Sequence, residues 1–178
     1  MYLQISSFLS KYFLRSLIFS FILVCIFLTP LSLVIADVTG KPRVIDGDTI
    51  EIAGTLIRLD GIDAPETKQM CLDEVGKRWR CGEAATYTLL NIIGNHWVTC
   101  KGEKRDRYRR LIAICTLGPF DLNAMLVLKG LALAYRKYSI AYIKEEYDAK
   151  SKKLGLWRGR FVAPWEWRQG KRLIYNKN

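Results

Sequence analysis

Two acidic stretches interrupt a chain that is otherwise strongly basic. VIDGDTI contains Asp46 and Asp48, and RLDGIDAPET contains Arg58, Asp63 and Glu66. Carboxylate and carbonyl oxygens are the ligands that hard cations such as Ca²⁺ and Mg²⁺ prefer in proteins. An arginine next to such a cation can hold two phosphate oxygens in a bidentate contact. The spacing therefore indicates metal-assisted chemistry on a phosphate group.

A run of arginines and one stiff backbone position complete this set. DRYRR, which ends at Arg110, supplies a second group of guanidiniums. Pro65 favours an extended backbone at Ala64, which leaves the carbonyl of that residue available to a cation. Each part alone has a simpler explanation, since Asp–Gly pairs are common in turns and Arg58 can pair with a neighbouring acid. Only the combination, in this order, favours a phosphate site.

The residue types that are scarce in the chain exclude several other mechanisms. His96 is the single histidine, so a mechanism that needs two histidines cannot be assembled within one chain. After residue 36 the only serines are Ser139 and Ser151, and neither lies in a G-x-S-x-G nucleophile elbow. The sequence also lacks a phosphate loop that ends in G-K-[ST]. Catalysis on phosphate would therefore depend on carboxylates, arginines and a metal ion.

The acidic stretches are predicted to lie on short strands and tight turns. Residues 41–63 alternate apolar and polar side chains between glycines, a pattern typical of strands joined by turns. A three-residue turn that ends at a left-handed Gly54 would place Asp48 opposite Arg58 on one face of a hairpin. A two-residue turn of Ala53 and Gly54 would place the two side chains on opposite faces. The sequence does not decide between these registers.

Three segments are predicted to be helical. GEAATYTLLNIIG is apolar on one side and ends at Gly94. Asp121 is expected to cap LNAMLVLKG, which Gly130 stops. Ser139 is expected to cap a longer helix that runs to Gly155. Strands first, with helices interspersed and following, indicate an α+β fold with a small curled sheet or barrel.

Four cysteines follow residue 36, and their even number in an exported domain favours disulfides. HWVTC and LIAIC are apolar runs on either side of a charged turn, and an antiparallel hairpin of these runs would place Cys100 opposite Cys115. Cys71 and Cys81 would then close the polar loop between them. The alternative is a zinc site of four thiolates, which the lack of a C-x-x-C pair disfavours.

The first 36 residues have the layout of a targeting segment. Two basic residues precede an uncharged apolar run over 17–36, and Val34 and Ala36 fit a signal-peptidase site. The run is also long enough to span a bilayer as an uncleaved anchor. Both alternatives export residues 37–178, to the periplasm or out of the cell, because the basic residues keep the N-terminus inside.

The exported part is predicted to comprise one domain, 37–158, and a Trp- and Arg-rich tail, 159–178. Residues 1–36 hold two of the 28 basic residues and none of the 17 acidic ones, so the exported part carries a net charge of +9. This surplus favours phosphate-rich partners through counterion release, or attraction to an anionic envelope. We expect a monomer that touches the membrane only through residues 17–36, if these are retained.

In this order the motifs resemble the staphylococcal nuclease (thermonuclease) family. The likeness runs from about Arg43 to Gly155 and is carried by VIDGDTI, IRLDGIDAPET, DRYRR with a following apolar strand, and LNAMLVLKGLALAY. The resemblance implies a five-stranded OB-type β-barrel with about three helices. It also implies a Ca²⁺-dependent endonuclease that cuts DNA and RNA with little sequence or sugar specificity and leaves 3′-phosphates.

The resemblance further implies roles for single residues. One Ca²⁺ ion is expected on two carboxylates and one backbone carbonyl. Glu66 is expected to orient or deprotonate the attacking water, and Arg58 and Arg110 to bind the phosphate. The expected metal ligands are Asp48, Asp63 and Ala64. The expected contacts to a terminal phosphate and to a stacked base are Arg107, Tyr108 and Tyr135.

Two departures from the family pattern leave alternatives open. Arg109 stands where the family usually has glycine, so Arg109 competes with Arg110 for the second phosphate role; the strand that starts directly afterwards favours Arg110. The best-known member lacks cysteines, so the disulfides belong to a subgroup or to this chain. The alternative for the whole protein is a non-catalytic OB-type nucleic-acid-binding module of the cell envelope. Such modules lose carboxylates or arginines of the site, whereas this sequence retains all of them.

Overall fold

Eleven short strands and four α-helices follow one another along residues 37–174, the part of the chain that this computed structural model describes. The strands are β1 Val38–Gly40, β2 Arg43–Val44, β3 Thr49–Ile52, β4 Thr55–Leu59, β5 Ile62–Asp63, β6 Cys71–Leu72, β7 Arg78–Trp79, β8 Val98–Arg105, β9 Leu111–Leu117, β10 Phe120–Asp121 and β11 Leu133–Ala134. The helices are α1 Cys81–Ile93, α2 Leu122–Leu128, α3 Ile143–Ser151 and α4 Pro164–Arg168, with a 3₁₀ turn at Gly155–Arg158.

The predicted signal or anchor segment, 1–36, lies outside the described residues. Between residues 37 and 174, no helix combines the length and the apolar character that crossing a bilayer requires.

The largest sheet has seven strands and includes β3 and β4, whereas Asp63 lies on β5, which pairs with β11 in a separate two-stranded sheet. Six of the seven strands follow the order β1–β8–β9–β4–β3–β2, and β10 pairs with β9. The pairing of β4 with β9 is parallel and the other pairings are antiparallel. For the described residues these pairings form an open path from β1 to β2. The α+β class is therefore confirmed, whereas the closed barrel that the resemblance implies is not shown.

One apolar core joins this sheet to helices α1 and α2. Ile50, Ile57 and Leu59 are at most 1% exposed and belong to the same cluster as Leu89 of α1 and Leu126 of α2. Full burial of such a side chain stabilises the fold by about 1.5–3 kcal/mol. The core thus fixes β3, which directly follows Asp48, and β4, which contains Arg58.

The first two predicted helices are confirmed together with their terminal residues. α1 ends at Gly94, which has a φ of 53° and donates its N–H to the carbonyl of Leu90. The side chain of Asp121 accepts the N–H of Ala124 (3.0 Å) and so caps α2. Gly130, with a φ of 67°, follows this helix.

The third helix differs from its prediction. α3 begins at Ile143, and the hydroxyl of Ser139 accepts the N–H of Ala141 (3.1 Å) in a turn that precedes it. Tyr142 is buried there, and its hydroxyl donates to Asp121 (3.0 Å). Ser139 is therefore not the helix cap, because the chain first anchors Tyr142 and only then becomes helical.

Both predicted disulfides are present. Cys100 and Cys115 are directly paired residues of the β8–β9 hairpin, and their sulfurs are bonded. The second bond joins Cys71 of β6 to Cys81, the first residue of α1. Since these bonds use all four sulfurs, the zinc alternative is wrong.

The C-terminal tail has regular structure that the sequence did not predict. Leu72 and Arg160 exchange two backbone hydrogen bonds, of 2.8 and 3.0 Å. A second apolar cluster, which includes the Cys71–Cys81 disulfide and Leu156, packs against Trp165 of the tail. Helix α4 contains Trp165 and is held in place by this packing. Its five residues are too few to produce a helical periodicity, although a proline at its first position is a typical start signal.

Candidate active site

The β3–β4 hairpin sets the register of the first acidic stretch. Ala53 and Gly54 form a two-residue turn with φ values of 47° and 79°, and Thr49 pairs with Arg58. The three-residue turn is therefore wrong. Asp48 nevertheless forms an ion pair with Arg58. Asp48 lies just before β3, where its carbonyl still accepts the N–H of Leu59 (2.9 Å), so the ion pair joins side chains on neighbouring positions of the two strands.

Arg58 binds two carboxylates at once. Its Nη1 donates to Oδ1 of Asp48, and its Nη2 donates to Oδ1 of Asp63 (2.6 Å). The side chains of Asp48 and Asp63 are 6% and 0% exposed, and that of Arg58 is 17% exposed. The N–H of Ala64 donates to Oδ2 of Asp48 (2.8 Å). The structure thus brings the three predicted metal ligands and one predicted phosphate ligand together.

Burial and mutual repulsion make it costly to keep these acids ionised. Burial, reinforced by the Asp48 charge, raises the pKa of Asp46 to about 6. Burial also raises the pKa of Asp63, against the effect of the hydrogen bond from Arg168. Oδ1 of Asp46 accepts the N–H of Asp48 (3.0 Å), so the acids are close neighbours. A cation placed among them would relieve the cost of holding these charges.

The donor atoms of this group fit a hard cation such as Ca²⁺. Asp48 and Asp63 offer carboxylate oxygens, and both face the guanidinium of Arg58. Between residues 37 and 174 there is no cluster of three or more His, Cys, Asp or Glu side chains arranged to hold a metal. A Ca²⁺ ion here would therefore use these two carboxylates, and backbone carbonyls such as that of Ala64 would have to complete its oxygen ligands.

Glu66 lies on a loop whose backbone is held in place. Its carbonyl accepts the N–H of Gln69 (2.7 Å), and its N–H donates to Oε1 of Gln69 (3.3 Å). Gly82 packs directly on this carbonyl, so a Cβ at residue 82 would overlap the oxygen of Glu66. The Glu66 side chain is 34% exposed, and its Oε1 accepts a hydrogen bond from Nη1 of Arg168 (2.8 Å).

Arg110, rather than Arg109, turns toward the acid group. Arg109 is exposed with a φ of 66°, the left-handed region that favours the glycine usual in the family. Arg110 is 22% exposed, and its Nη1 donates to Oγ1 of Thr49 (3.3 Å). The same hydroxyl donates to Asp48 (3.2 Å), so Thr49 connects the two ends of the site.

Asp106 holds Arg110 in this position and was not assigned a role from the sequence. Its Oδ2 accepts the Arg110 Nε–H (2.8 Å) and lies 2.7 Å from Nη2. Its Oδ1 accepts the backbone N–H groups of Tyr108 and Arg110 (2.9 and 3.0 Å). Although burial acts to raise it, hydrogen bonds from Arg110 hold the pKa of Asp106 below its usual range. The acid within DRYRR was visible, and its turn-forming role is the signal that could have identified it.

The remaining predicted contacts lie on the walls of the same cleft. The guanidinium of Arg107 is 4.8 Å from the ring centroid of Tyr108, which is 62% exposed. Tyr135 also lines the cleft, and Trp165 stacks on it with ring centroids 5.3 Å apart and planes 6° from parallel. The predicted base platform therefore already carries an aromatic partner from the tail.

Arg168 is the main site residue that the sequence reasoning missed. Its Nη2 and Nη1 donate to Oδ2 and Oδ1 of Asp63 (2.7 and 3.1 Å), in addition to the bond to Glu66. Asp63 is 105 residues away in the sequence, so no local motif connects the two residues.

A single open cleft contains these groups, with the buried Asp63 beneath it. The predicted and newly found site residues that line it are Asp48, Arg58, Ala64, Glu66, Asp106, Arg107, Tyr108, Arg110, Tyr135, Trp165 and Arg168. Carboxylates, guanidiniums and aromatic rings all contribute to its lining. The fold and the site thus define an α+β protein with a cleft suited to a cation and an anionic, ring-containing ligand.

Comparison with known proteins identifies the family. The profile described as "Staphylococcal nuclease homologue" matches residues 56–159, more than half of the chain. The chain belongs to the staphylococcal nuclease family.

Curated relatives from several bacteria are similar over most of the chain. The succinoglycan biosynthesis protein ExoI of Rhizobium meliloti (strain 1021) is 37% identical over 126 residues, which cover 69% of this chain and 66% of that protein. An uncharacterized endonuclease of Escherichia coli O157:H7 is 34% identical over 145 residues, 76% of this chain and 88% of that protein. The micrococcal nuclease of Shigella flexneri is 29% identical over 161 residues, 79% of this chain and 86% of that protein.

Proposed function

We propose that the protein is a Ca²⁺-dependent endonuclease that hydrolyses phosphodiester bonds of DNA and RNA with little sequence or sugar specificity. The observation that carries this proposal is the convergence of two buried carboxylates, two inward-turned arginines and Glu66 in and beneath one cleft. Family membership and relatives named as endonuclease and micrococcal nuclease support it. The basic exported part adds long-range attraction for a polyanion.

Arg58 and Arg110 bind the phosphate group in this proposal. Arg58 is fixed by Asp48 and Asp63, and Arg110 by Asp106, so neither guanidinium must be ordered when the substrate arrives. Their positive charges stabilise the negative charge that develops on the phosphoryl oxygens as the reaction proceeds. Ca²⁺, held by Asp48, Asp63 and the Ala64 carbonyl, would supply Lewis-acid polarisation of the phosphate.

Glu66 interacts with the attacking water in this proposal. Its partly exposed carboxylate accepts a hydrogen bond from the attacking water and either orients that water or takes its proton. The water oxygen bonds to phosphorus while the P–O5′ bond breaks, which leaves a 3′-phosphate and a free 5′-hydroxyl. Arg107 and Tyr108 contact a terminal phosphate, and Tyr135 stacks on a base.

We also propose that the domain acts outside the cytoplasm as a monomer. The two disulfides support an oxidising compartment, and the apolar run at 17–36 supports export, as a cleaved signal or a retained anchor. N-terminal sequencing of the protein recovered from cells decides between the two. A mature N-terminus at Asp37 indicates cleavage, whereas an intact residue 1 indicates an anchor.

The test of the function is cleavage of labelled single-stranded DNA and of RNA by the purified protein, in Ca²⁺ or in EGTA. The expected result is cleavage of both substrates in Ca²⁺ only. Phosphatase treatment should then remove a phosphate from the 3′ ends of the products and lower their negative charge. Binding in either buffer with no cleavage in Ca²⁺ would refute the nuclease and favour the non-catalytic OB-type module.

A further inference from the structure

One guanidinium from the tail occupies the carboxylate oxygens that the proposed site needs. Arg168 donates to both oxygens of Asp63 and to Oε1 of Glu66, at 2.7 to 3.1 Å. The Asp63 side chain is fully buried, and both Arg58 and Arg168 donate to its oxygens. A divalent cation that binds Asp63 must therefore compete with Arg168.

An indole from the same helix covers the aromatic platform. Trp165 lies three residues before Arg168, on the same face of α4, and stacks on the ring of Tyr135. A nucleic-acid base that stacks on Tyr135 would use the flat face of the ring, as Trp165 does here. Trp165 and a base cannot occupy that face of Tyr135 together.

Helix α4 is attached to the domain just before these two side chains. The carbonyl of Val162 accepts a hydrogen bond from Nε2 of Gln69 (2.7 Å), and both residues are buried. Residues 168–174 of the tail, by contrast, are mostly exposed. Pro164 at the start of α4 is buried, and Trp165 also packs against the second apolar cluster, so the helix opens only if the indole gives up that contact while Pro164 stays in place.

We propose that α4 is a self-inhibitory element that closes the cleft in the absence of a divalent cation. Arg168 pairs with Asp63 and Glu66, and Trp165 covers Tyr135. Binding of the cation displaces the guanidinium and frees the platform for a base. The inference rests on the proposed Ca²⁺ site, and it makes cation affinity and base access depend on the same helical turn.

Calcium binding without nucleic acid tests the first half of this proposal. Isothermal titration of the purified protein with CaCl₂ compares the wild type with Arg168→Gln. Arg172→Gln is the matched control, because Arg172 lies in the same tail and carries the same charge but contacts the Trp167 ring and backbone carbonyls instead of the acids. Removing one positive charge next to the cation should raise Ca²⁺ affinity by about tenfold or more in Arg168→Gln, and by less than about twofold in the control.

The outcomes of this titration are distinct. Arg168→Lys, which keeps the charge without the bidentate fork, should give an intermediate affinity. Equal or weaker Ca²⁺ binding by Arg168→Gln would overturn the competition and leave the nuclease proposal standing. No Ca²⁺ binding by any of the proteins would refute the calcium site itself, and this inference with it.

Binding of an oligonucleotide in EGTA tests the second half. Fluorescence anisotropy of labelled oligothymidylate compares the wild type with Trp165→Ala, with Trp97→Ala as a control because Trp97 is 64% exposed and does not line the cleft. If Trp165 blocks Tyr135, Trp165→Ala binds about three- to tenfold more tightly and the control is unchanged. Unchanged or weaker binding by Trp165→Ala would show that the indole does not close the platform, and would overturn this part.

Discussion

Replacing Asp106 with asparagine should slow cleavage by releasing Arg110, without disrupting the hairpin. The Asp106 side chain has two separate tasks, since Oδ1 accepts two backbone N–H groups of the turn and Oδ2 binds the Arg110 guanidinium. Asparagine keeps one oxygen for the turn but presents an amide NH₂ to the guanidinium. That group cannot accept a hydrogen bond, so only the contact to Arg110 is lost.

The size of the effect follows from the charged hydrogen bond that is removed. Both side chains are less than a quarter exposed, 22% for Arg110 and 17% for Asp106. A hydrogen bond between charged groups contributes about 1.5–3 kcal/mol. If that energy holds Arg110 in place for the transition state, its loss lowers kcat/KM by roughly 10- to 150-fold.

Cleavage of a labelled single-stranded oligonucleotide under kcat/KM conditions measures this effect. Asp73→Asn is the matched control, because Oδ1 of Asp73 also accepts two backbone N–H groups, from Val75 and Lys77, in a turn. The control should keep wild-type activity. Asp106→Asn combined with Arg110→Lys should be little slower than Arg110→Lys alone, since both changes remove one contact. Wild-type kcat/KM in Asp106→Asn would refute the assignment of Asp106 as the residue that positions Arg110.

Three further predictions concern stability and the loop that carries Glu66. The folded-state pKa of Asp46 is raised to about 6, so the stability linked to its proton is full below the unfolded pKa of about 3.9 and is lost as pH rises through about 6. Asp46→Asn should therefore flatten this decline when the free energy of unfolding is measured in urea with EGTA at several pH values. An unchanged dependence of that free energy on pH would contradict the raised pKa. Gly82→Ala should destabilise the fold by about 1–3 kcal/mol and reduce cleavage, because a Cβ there overlaps the Glu66 carbonyl; wild-type stability and activity would show that the loop yields freely. Replacing Cys100 and Cys115 with serine opens a loop with a sequence separation of 15 and should lower the free energy of unfolding by about 3 kcal/mol in denaturant titrations. A decrease well under about 1 kcal/mol would show that the hairpin does not depend on the bond.

The groups that local motifs contain could be predicted from the sequence. Asp48, Arg58 and Asp63 lie within one hairpin and the turn after it, so their closeness along the chain predicts that they are neighbours in the fold, although the face that each side chain takes was not predicted. The Cys100–Cys115 bond follows from the same kind of argument, because its strands are joined by one turn.

The register of the first hairpin could not be decided from the sequence. Its turn places Ala53 at a φ of 47°, and alanine is not among the residues that favour this conformation. The pairing of apolar residues across β3 and β4, which buries Ile50 against Ile57, selects the register instead. Tertiary packing thus overrides the local preference of one residue.

Contacts across long sequence separations were also beyond prediction. Arg168 reaches Asp63 because the tail is attached to the domain at several points, among them the bridge of Arg160 to Leu72 of β6. Neither a helix of five residues nor a two-bond bridge produces a pattern in the sequence. The start of α3 was missed for a related reason, since burial of Tyr142 delays the helix.

Single-turnover cleavage by Glu66→Gln tests the central claim most directly, that this acid group and its arginines form a Ca²⁺-dependent phosphodiesterase site. Glutamine keeps the length of the side chain and an oxygen that can accept a hydrogen bond, but it cannot take a proton. The account predicts cleavage by the wild type in Ca²⁺ and none in EGTA, with Glu66→Gln slower by about 10²- to 10⁴-fold in Ca²⁺ if Glu66 acts as the base. Equal rates of cleavage by the two proteins, or wild-type cleavage that persists in EGTA, would contradict it.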